Sequence, residues 1–149
     1  MSGLINTVAH KIAWGECDPA GIVFYPNYLA MFDNATGALF ARTGLSPSAM
    51  REKYNIAGMP LVEQSARFLL PCRFDEDIVI ESDVVEWGRA SFKVRHRIKK
   101  DGALAVEGFE KRVWAAHDKE QPGKLISEPI PAEIVACLSD AAGGSPVKR

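Results

Sequence analysis

The spacing of apolar side chains changes period along this chain. Over residues 8–14, Val8, His10, Ile12 and Trp14 alternate with Ala9, Lys11 and Ala13, the two-residue repeat of a short strand. Gly15-Glu16-Cys17-Asp18-Pro19-Ala20-Gly21 interrupts that repeat with two glycines and a proline and predicts a loop, after which Ile22-Val23-Phe24-Tyr25 is apolar again. From residue 27 to about residue 42, Tyr28, Phe32, Ala35 and Leu39 fall at i, i+4, i+7 and i+11, widened by Leu29, Thr36 and Phe40. This is the stripe of a helix about 24 Å long lying on an apolar surface. Pro26 suits its first turn and Gly44 its left-handed end. Ser46-Pro47-Ser48 predicts a second, shorter helix through residue 54, with serine as its cap.

The remainder reads as strands. Val62, Gln64, Ala66, Phe68 and Leu70 share a face of one strand, and Ile78, Ile80, Ser82 and Val84 share a face of the next. In a third, Ala90, Phe92, Val94, His96 and Ile98 lie opposite Arg89, Ser91, Lys93, Arg95 and Arg97. Asp101-Gly102 joins it to a strand over residues 103–115 as a hairpin, because both residues accept positive φ. Residues 131–138 suggest a closing helix. The predicted organisation is a single domain over residues 1–140 and a mobile tail over residues 141–149. Strand, long helix, then antiparallel strands imply an α+β domain in which one helix covers one face of a curled sheet. One helix covers five strands incompletely, and an open sheet edge is an aggregation hazard, so pairing of two sheets across a dimer is expected.

Composition narrows the function. The 149 residues, 47% apolar and 25% charged, fit one soluble globular domain. Eighteen basic against nineteen acidic side chains leave a net charge of -1, which offers no global attraction to nucleic acid or to an anionic membrane. No apolar run approaches the roughly 20 residues that cross a bilayer, and no signal-peptide pattern opens the chain, so a cytoplasmic location is expected. Cys17, Cys72 and Cys137 include no C-x-x-C pair and are expected as reduced thiols. His10, His96 and His117 are scattered without metal-ligand spacing, so no metal is expected.

The loop before the long helix combines a carboxylate, two glycines and a helix start, an arrangement suited to acyl chemistry. A helix N-terminus offers unpaired N–H groups and about half a positive charge, which stabilise the oxyanion formed when a thioester or ester carbonyl is attacked. Asp18 is a candidate nucleophile or a general base that activates water; alternatively it only fixes its own turn through an Asx hydrogen bond. No serine lies in a G-x-S-x-G elbow. Cys17 has no histidine near it in sequence, and His96 shares an apolar strand face, as a hydrogen-bonded core histidine would. The basic ladder Arg89, Lys93, Arg95 and Arg97 reads as a solvated face whose terminal arginine is able to clamp phosphate.

At Glu16-Cys17-Asp18-Pro19-Ala20-Gly21-Ile22-Val23-Phe24-Tyr25-Pro26-Asn27-Tyr28 the chain resembles the hotdog-fold acyl-CoA thioesterases of the 4-hydroxybenzoyl-CoA thioesterase type. The resemblance continues through Phe32-Asp33-Asn34-Ala35, Gly58-Met59-Pro60, Glu86-Trp87-Gly88-Arg89-Ala90-Ser91-Phe92, Arg95-His96 and Pro131-Ala132-Glu133. It implies a hotdog fold, a long central helix wrapped by an antiparallel sheet. It also implies dimers that join their sheets, often homotetramers, and active sites between subunits. The family's nucleophile or base matches Asp18, and the tyrosine whose backbone N–H polarises the thioester carbonyl matches Tyr25. Asp33 matches the aspartate that meets the ring hydroxyl; its bland alternative is a polar residue on the outer helix face.

Departures concern substrate contacts. Gly88 and Ala90 stand where the family carries an arginine and a lysine, which leaves Arg89, with Lys124 as a partial replacement, for the CoA phosphates. Met59 replaces a threonine and makes the acyl pocket more apolar. The implied activity is hydrolysis of an aromatic acyl-CoA to free acid and CoA without a cofactor. The rivals are a non-catalytic hotdog module that binds acyl-CoA or protein, and a thioester dehydratase for which only His96 could serve.

Overall fold

The computed structural model describes residues 3–143 and 146–147. β1 (Asn6–Lys11) leads through a 3-10 turn (Trp14–Glu16) and the loop to α1 (Pro26–Phe40). A second 3-10 turn (Ala41–Thr43) and α2 (Pro47–Tyr54) precede the strands β2 (Leu61–Phe68), β3 (Asp77–Trp87), β4 (Ser91–Lys100) and β5 (Ala103–Val113). A short hairpin of β6 (Ala115–His117) and β7 (Leu125–Ser127), then α3 (Ala132–Ser139), complete the order. β1 to β5 form one antiparallel sheet in the order β1-β3-β4-β5-β2.

α1 lies on the inner face of this sheet. Tyr28, Met31, Phe32, Ala35, Thr36, Leu39 and Phe40 are buried, so the helical period seen in the sequence is the buried stripe; Leu29 stays exposed. Its N-terminal half packs on Ile78, Ile80, Ile98 and Val106, and its C-terminal half meets Phe92, Trp114, Ile134 and Leu138. The chain leaves the helix at Gly44 with φ 83°. Ser46 accepts the Ala49 N–H at 3.1 Å and caps α2. Asp101 and Gly102 take φ 50° and 78°, the positive pair that a two-residue hairpin turn demands.

On the outer face, two members of the basic ladder, Arg95 and Arg97, are paired with carboxylates across the sheet. Arg95 grips the buried Asp83 with two hydrogen bonds of 2.9 and 3.1 Å, and Lys99 reaches Glu81 at 2.9 Å.

Three features differ from the sequence-based expectation. β1 begins at Asn6 and ends at Lys11, because Trp14 enters a 3-10 turn in which the Glu16 carboxylate accepts the Ala13 N–H at 2.8 Å. The strand predicted over residues 103–115 breaks at Trp114, whose N–H donates to Ala90 O and whose carbonyl accepts from Glu128; the β6–β7 hairpin follows. Within residues 141–149, four lie outside the described residues, yet Val147 is buried and donates its N–H to Thr43 O at 2.7 Å. Reading this segment as a free tail does not anticipate that contact.

Gly108 of β5 sits under the fully buried Phe32 ring, which stacks on His96 with centroids 4.8 Å apart and planes 6° from parallel. A Cβ at Gly108 would run into the Phe32 ring atoms. Gly108→Ala is expected to cost about 1–3 kcal/mol by overpacking, seen as a lower urea midpoint. An unchanged midpoint would show that Phe32 yields freely.

Candidate active site

The turn before α1 is held from several sides. Glu16 accepts His10 Nε2–H at 2.9 Å and the Ala13 N–H, while its backbone carbonyl accepts the Phe24 N–H and the Asn27 side-chain amide at 2.9 and 2.8 Å. A bridge between Cys17 and Val23 closes the loop, so Asp18 sits at a turn anchored to both β1 and α1. Asp18 Oδ1 accepts the Ala20 N–H at 2.8 Å. The Asx turn is therefore made, and it uses one carboxylate oxygen only. Oδ2 has no hydrogen-bond donor among the described residues.

Tyr25 is the N-cap of α1 and is 63% exposed. Pro26 has no N–H to offer, Asn27 N–H donates to Phe24 O, and Tyr28 N–H donates to Tyr25 O. This leaves the Tyr25 N–H without an acceptor among the described residues, at the positive end of the longest helix. Beside it opens an apolar cleft of about 310 Å³ lined by Ile22, Tyr25, Tyr28, Phe68, Leu69 and Leu70. Tyr28 and Phe68 rings meet at 5.6 Å, and the Tyr28 hydroxyl accepts the Cys72 N–H. Burial pushes that phenol well above its ordinary range, so it remains neutral.

Asp33 lies eight residues beyond Tyr25 on the same side of α1, about 12 Å along the axis. In the single chain its side chain is 69% exposed rather than buried, and Oδ1 accepts Arg112 Nη2–H at 2.7 Å. Arg112 also donates to Glu110 Oε2 at 2.7 Å and to the Met59 carbonyl at 3.0 Å. Glu110 is buried between helix and sheet, where Oε1 accepts the Thr36 hydroxyl and His96 Nε2–H, the latter at 2.8 Å. Ser82 completes the chain at His96 Nδ1, 2.6 Å away. Burial alone would raise the Glu110 carboxyl, but hydrogen bonds from His96, Arg112 and Thr36 outweigh it and hold the group down at about 2.

Among the residues proposed from sequence, Asp18 lies in the turn closed by the Cys17–Val23 bridge just before α1, Tyr25 opens that helix and lines the cleft, and Asp33 and Met59 meet through Arg112. Met59 turns its side chain toward the core around Trp114. Arg89 and Lys124 stand apart: both are exposed in turns and make no hydrogen bond or ion pair to the loop or to Asp33 among the described residues. His96 is a hydrogen-bonded core histidine, sealed under Phe32 with no exposed surface, so it cannot reach a substrate as a dehydratase base would. The Cys17 thiol is pushed up by burial and by Glu16 and Asp18, which makes it a poor nucleophile. Among the described residues no group of three or more His, Cys, Asp or Glu is arranged to hold a metal ion.

Glu110 and Arg112 escaped the sequence reading. A signal existed: on β5 they share parity with Val106 and Trp114, so two opposite charges occupy the apolar register.

Residues 12–138 match the family described as the thioesterase-like superfamily. The chain belongs to that superfamily. Among curated relatives of this thioesterase-like protein, 4-hydroxybenzoyl-CoA thioesterase of Pseudomonas sp. (strain CBS-3) is 34% identical over 140 residues, covering 89% of this chain and 96% of that one. The solved structure of 4-hydroxybenzoyl-CoA thioesterase from Pseudomonas sp. strain CBS-3 superposes with a TM-score of 0.81 at 33% identity, covering 89% of this chain and 98% of that chain. Gentisyl-coenzyme A thioesterase BH1999 follows with a TM-score of 0.75 at 32% identity, covering 87% and 99%. The architecture of this superfamily member is the hotdog fold: a long helix wrapped by a curled antiparallel sheet.

The buried Glu110 makes a directional pH prediction. Its carboxyl lies below the ordinary value of 4.5, so its contribution to stability is complete above about pH 4.5 and is lost as the pH falls toward about 2. The stability gap between wild type and Glu110→Gln, read from urea midpoints, is expected to shrink between pH 5 and pH 2.5. A gap constant across that window would show that the native carboxyl is not held ionised.

Proposed function

We propose that this protein hydrolyses an aromatic acyl-CoA whose ring bears a hydroxyl or amino group, releasing the free acid and CoA. The observation that carries the proposal is the unpaired Tyr25 N–H at the mouth of α1, between the Asp18 turn and an apolar cleft. In this reading the thioester oxygen sits at Tyr25 N–H, where the helix end stabilises negative charge as the carbonyl carbon becomes tetrahedral. Asp18, oriented through Oδ1 by its own turn, presents Oδ2 either to that carbon or to a water placed against it. Collapse of the tetrahedral centre breaks the C–S bond and expels the CoA thiolate, which takes up a proton; on the water route this yields the free acid directly, and on the nucleophilic route it leaves a mixed anhydride with Asp18 that water then hydrolyses to the free acid and the regenerated carboxylate. Asp33, about 12 Å along the helix, receives the ring's polar hydrogen at a distance that suits a para-substituted benzoyl group. The resemblance to thioesterases named for 4-hydroxybenzoyl-CoA and gentisyl-CoA supports a hydroxylated ring. Arg89 and Lys124, both exposed cations, are assigned to the CoA phosphates.

The same reading makes the active unit a homodimer, itself able to pair into a tetramer. β2 is an edge strand with Leu61, Val62 and Phe68 exposed, followed by Leu69 and Leu70, all at least 40% exposed. An open, apolar edge of this kind invites pairing with a second copy, and a partner there would cover the side of α1 that bears Tyr25 and Asp33.

A panel of benzoyl, hydroxybenzoyl, aminobenzoyl and straight-chain CoA esters, followed by thiol release, tests the activity. Hydroxybenzoyl or aminobenzoyl esters are expected to be preferred, and Asp18→Asn is expected to lower turnover at least about a hundredfold. Wild-type turnover in that variant would remove Asp18 from the mechanism, and preference for straight chains would remove Asp33. Val62→Lys, a charge on the proposed shared edge, is expected to shift sedimentation toward monomer and to lower activity with it.

A further inference from the structure

We propose that Arg112 is a positioning residue that sets ring specificity by pinning Asp33. This rests on the reading of Asp33 as the acceptor of the ring's polar hydrogen. The guanidinium makes three simultaneous bonds: to Asp33 Oδ1 on α1, to Glu110 Oε2 in the core, and to the backbone carbonyl of Met59, which precedes β2. Its side chain is 11% exposed while that of Asp33 is 69% exposed, so a fixed, buried cation holds a surface carboxylate. Arg112 is fixed in turn because Glu110 is itself held by His96 and Thr36.

Stability alone explains this arrangement poorly. Buried charge networks are costly to desolvate, and here Arg112 Nε is buried without a partner among the described residues. What the network delivers is a preset acceptor. An unrestrained aspartate on a helix surface must surrender side-chain freedom to bind a ligand, whereas a carboxylate clamped through Oδ1 presents Oδ2 in one direction. Arg112 also gives the Asp33 carboxylate an ionic partner, shared with Glu110, so it is not left as an isolated ion when a ring covers it. An unsubstituted ring would still leave Oδ2 desolvated without a donor, which is the source of discrimination. The bond to the Met59 carbonyl ties the segment before β2 to the same guanidinium.

Lysine keeps the charge but lacks the planar fork that serves three acceptors, and glutamine keeps a donor without charge. The test measures kcat/KM for 4-hydroxybenzoyl-CoA and benzoyl-CoA in wild type, Arg112→Lys, Arg112→Gln, Asp33→Asn and the double variant R112K/D33N, each checked for folding by far-UV circular dichroism. Wild type is expected to favour the hydroxylated ring. Each Arg112 variant that folds is expected to cut the hydroxybenzoyl-to-benzoyl ratio by about tenfold or more, the scale of one hydrogen bond to a charged group. In the D33N background, R112K is expected to leave the ratio unchanged, because both changes act through one contact. A wild-type ratio retained in the Arg112 variants, or equal losses on both esters, would overturn the role of Arg112 alone. A further fall of the ratio in the double variant would also overturn it, since Arg112 would then act independently of Asp33. A wild type that hydrolyses both esters equally would overturn the reading of Asp33, and this inference with it.

Discussion

A carboxylate with almost no contact to water, Glu110, sits where the central helix crosses the sheet, and much of the architecture answers to it. An isolated ion there would cost several kcal/mol, so every neighbour able to donate is turned toward it. Thr36 comes from α1, His96 from β4 and Arg112 from β5 itself, with Ser82 of β3 supporting the histidine from behind. Four elements are thereby locked in rotation and register relative to one another. A purely apolar layer of the same volume would hold them together without specifying their alignment so narrowly.

The consequences run outward in one direction. Arg112 pairs with both Glu110 and Asp33, so the polar core is connected to the flank of α1. Gly108 lets Phe32 lie flat over His96 and seal the inner part of the network, which separates a structural histidine from any chemistry. The helix mouth is built by a different device. There Glu16 gathers His10, Ala13, Phe24 and Asn27 around one residue, and the missing donor of Pro26 leaves the Tyr25 amide as the open end of the helix dipole. The two devices occupy the same side of α1, one at its start and one two turns on.

Elements governed by local chemistry were legible in the sequence. The α1 stripe, the Ser46 cap, the Asp101-Gly102 turn and the alternation of β3 and β4 each follow from residues that interact with near neighbours or with a flat apolar surface. Features governed by distant partners were not. The end of β1 depends on Glu16 folding back onto Ala13, the break at Trp114 on acceptors and donors from Ala90 and Glu128, and the burial of Val147 on Thr43. Asp18 and Tyr25 stood out because they are close in sequence, whereas Arg112 reaches Asp33 across 79 positions.

The sequence by itself therefore determined the kinds of element, their order, and the loop-to-helix junction. Those depend on φ preferences, capping and the period of burial, which are properties of short windows of chain. Only the tertiary structure decided that two charges on the inward face of β5 pair with each other, and that one of them also reaches an exposed carboxylate on α1. The physical reason is register: pairing His96 with Gly108 sets Glu110 beside the histidine and Arg112 beside Asp33, and a slip of one residue would turn both charges to the opposite face.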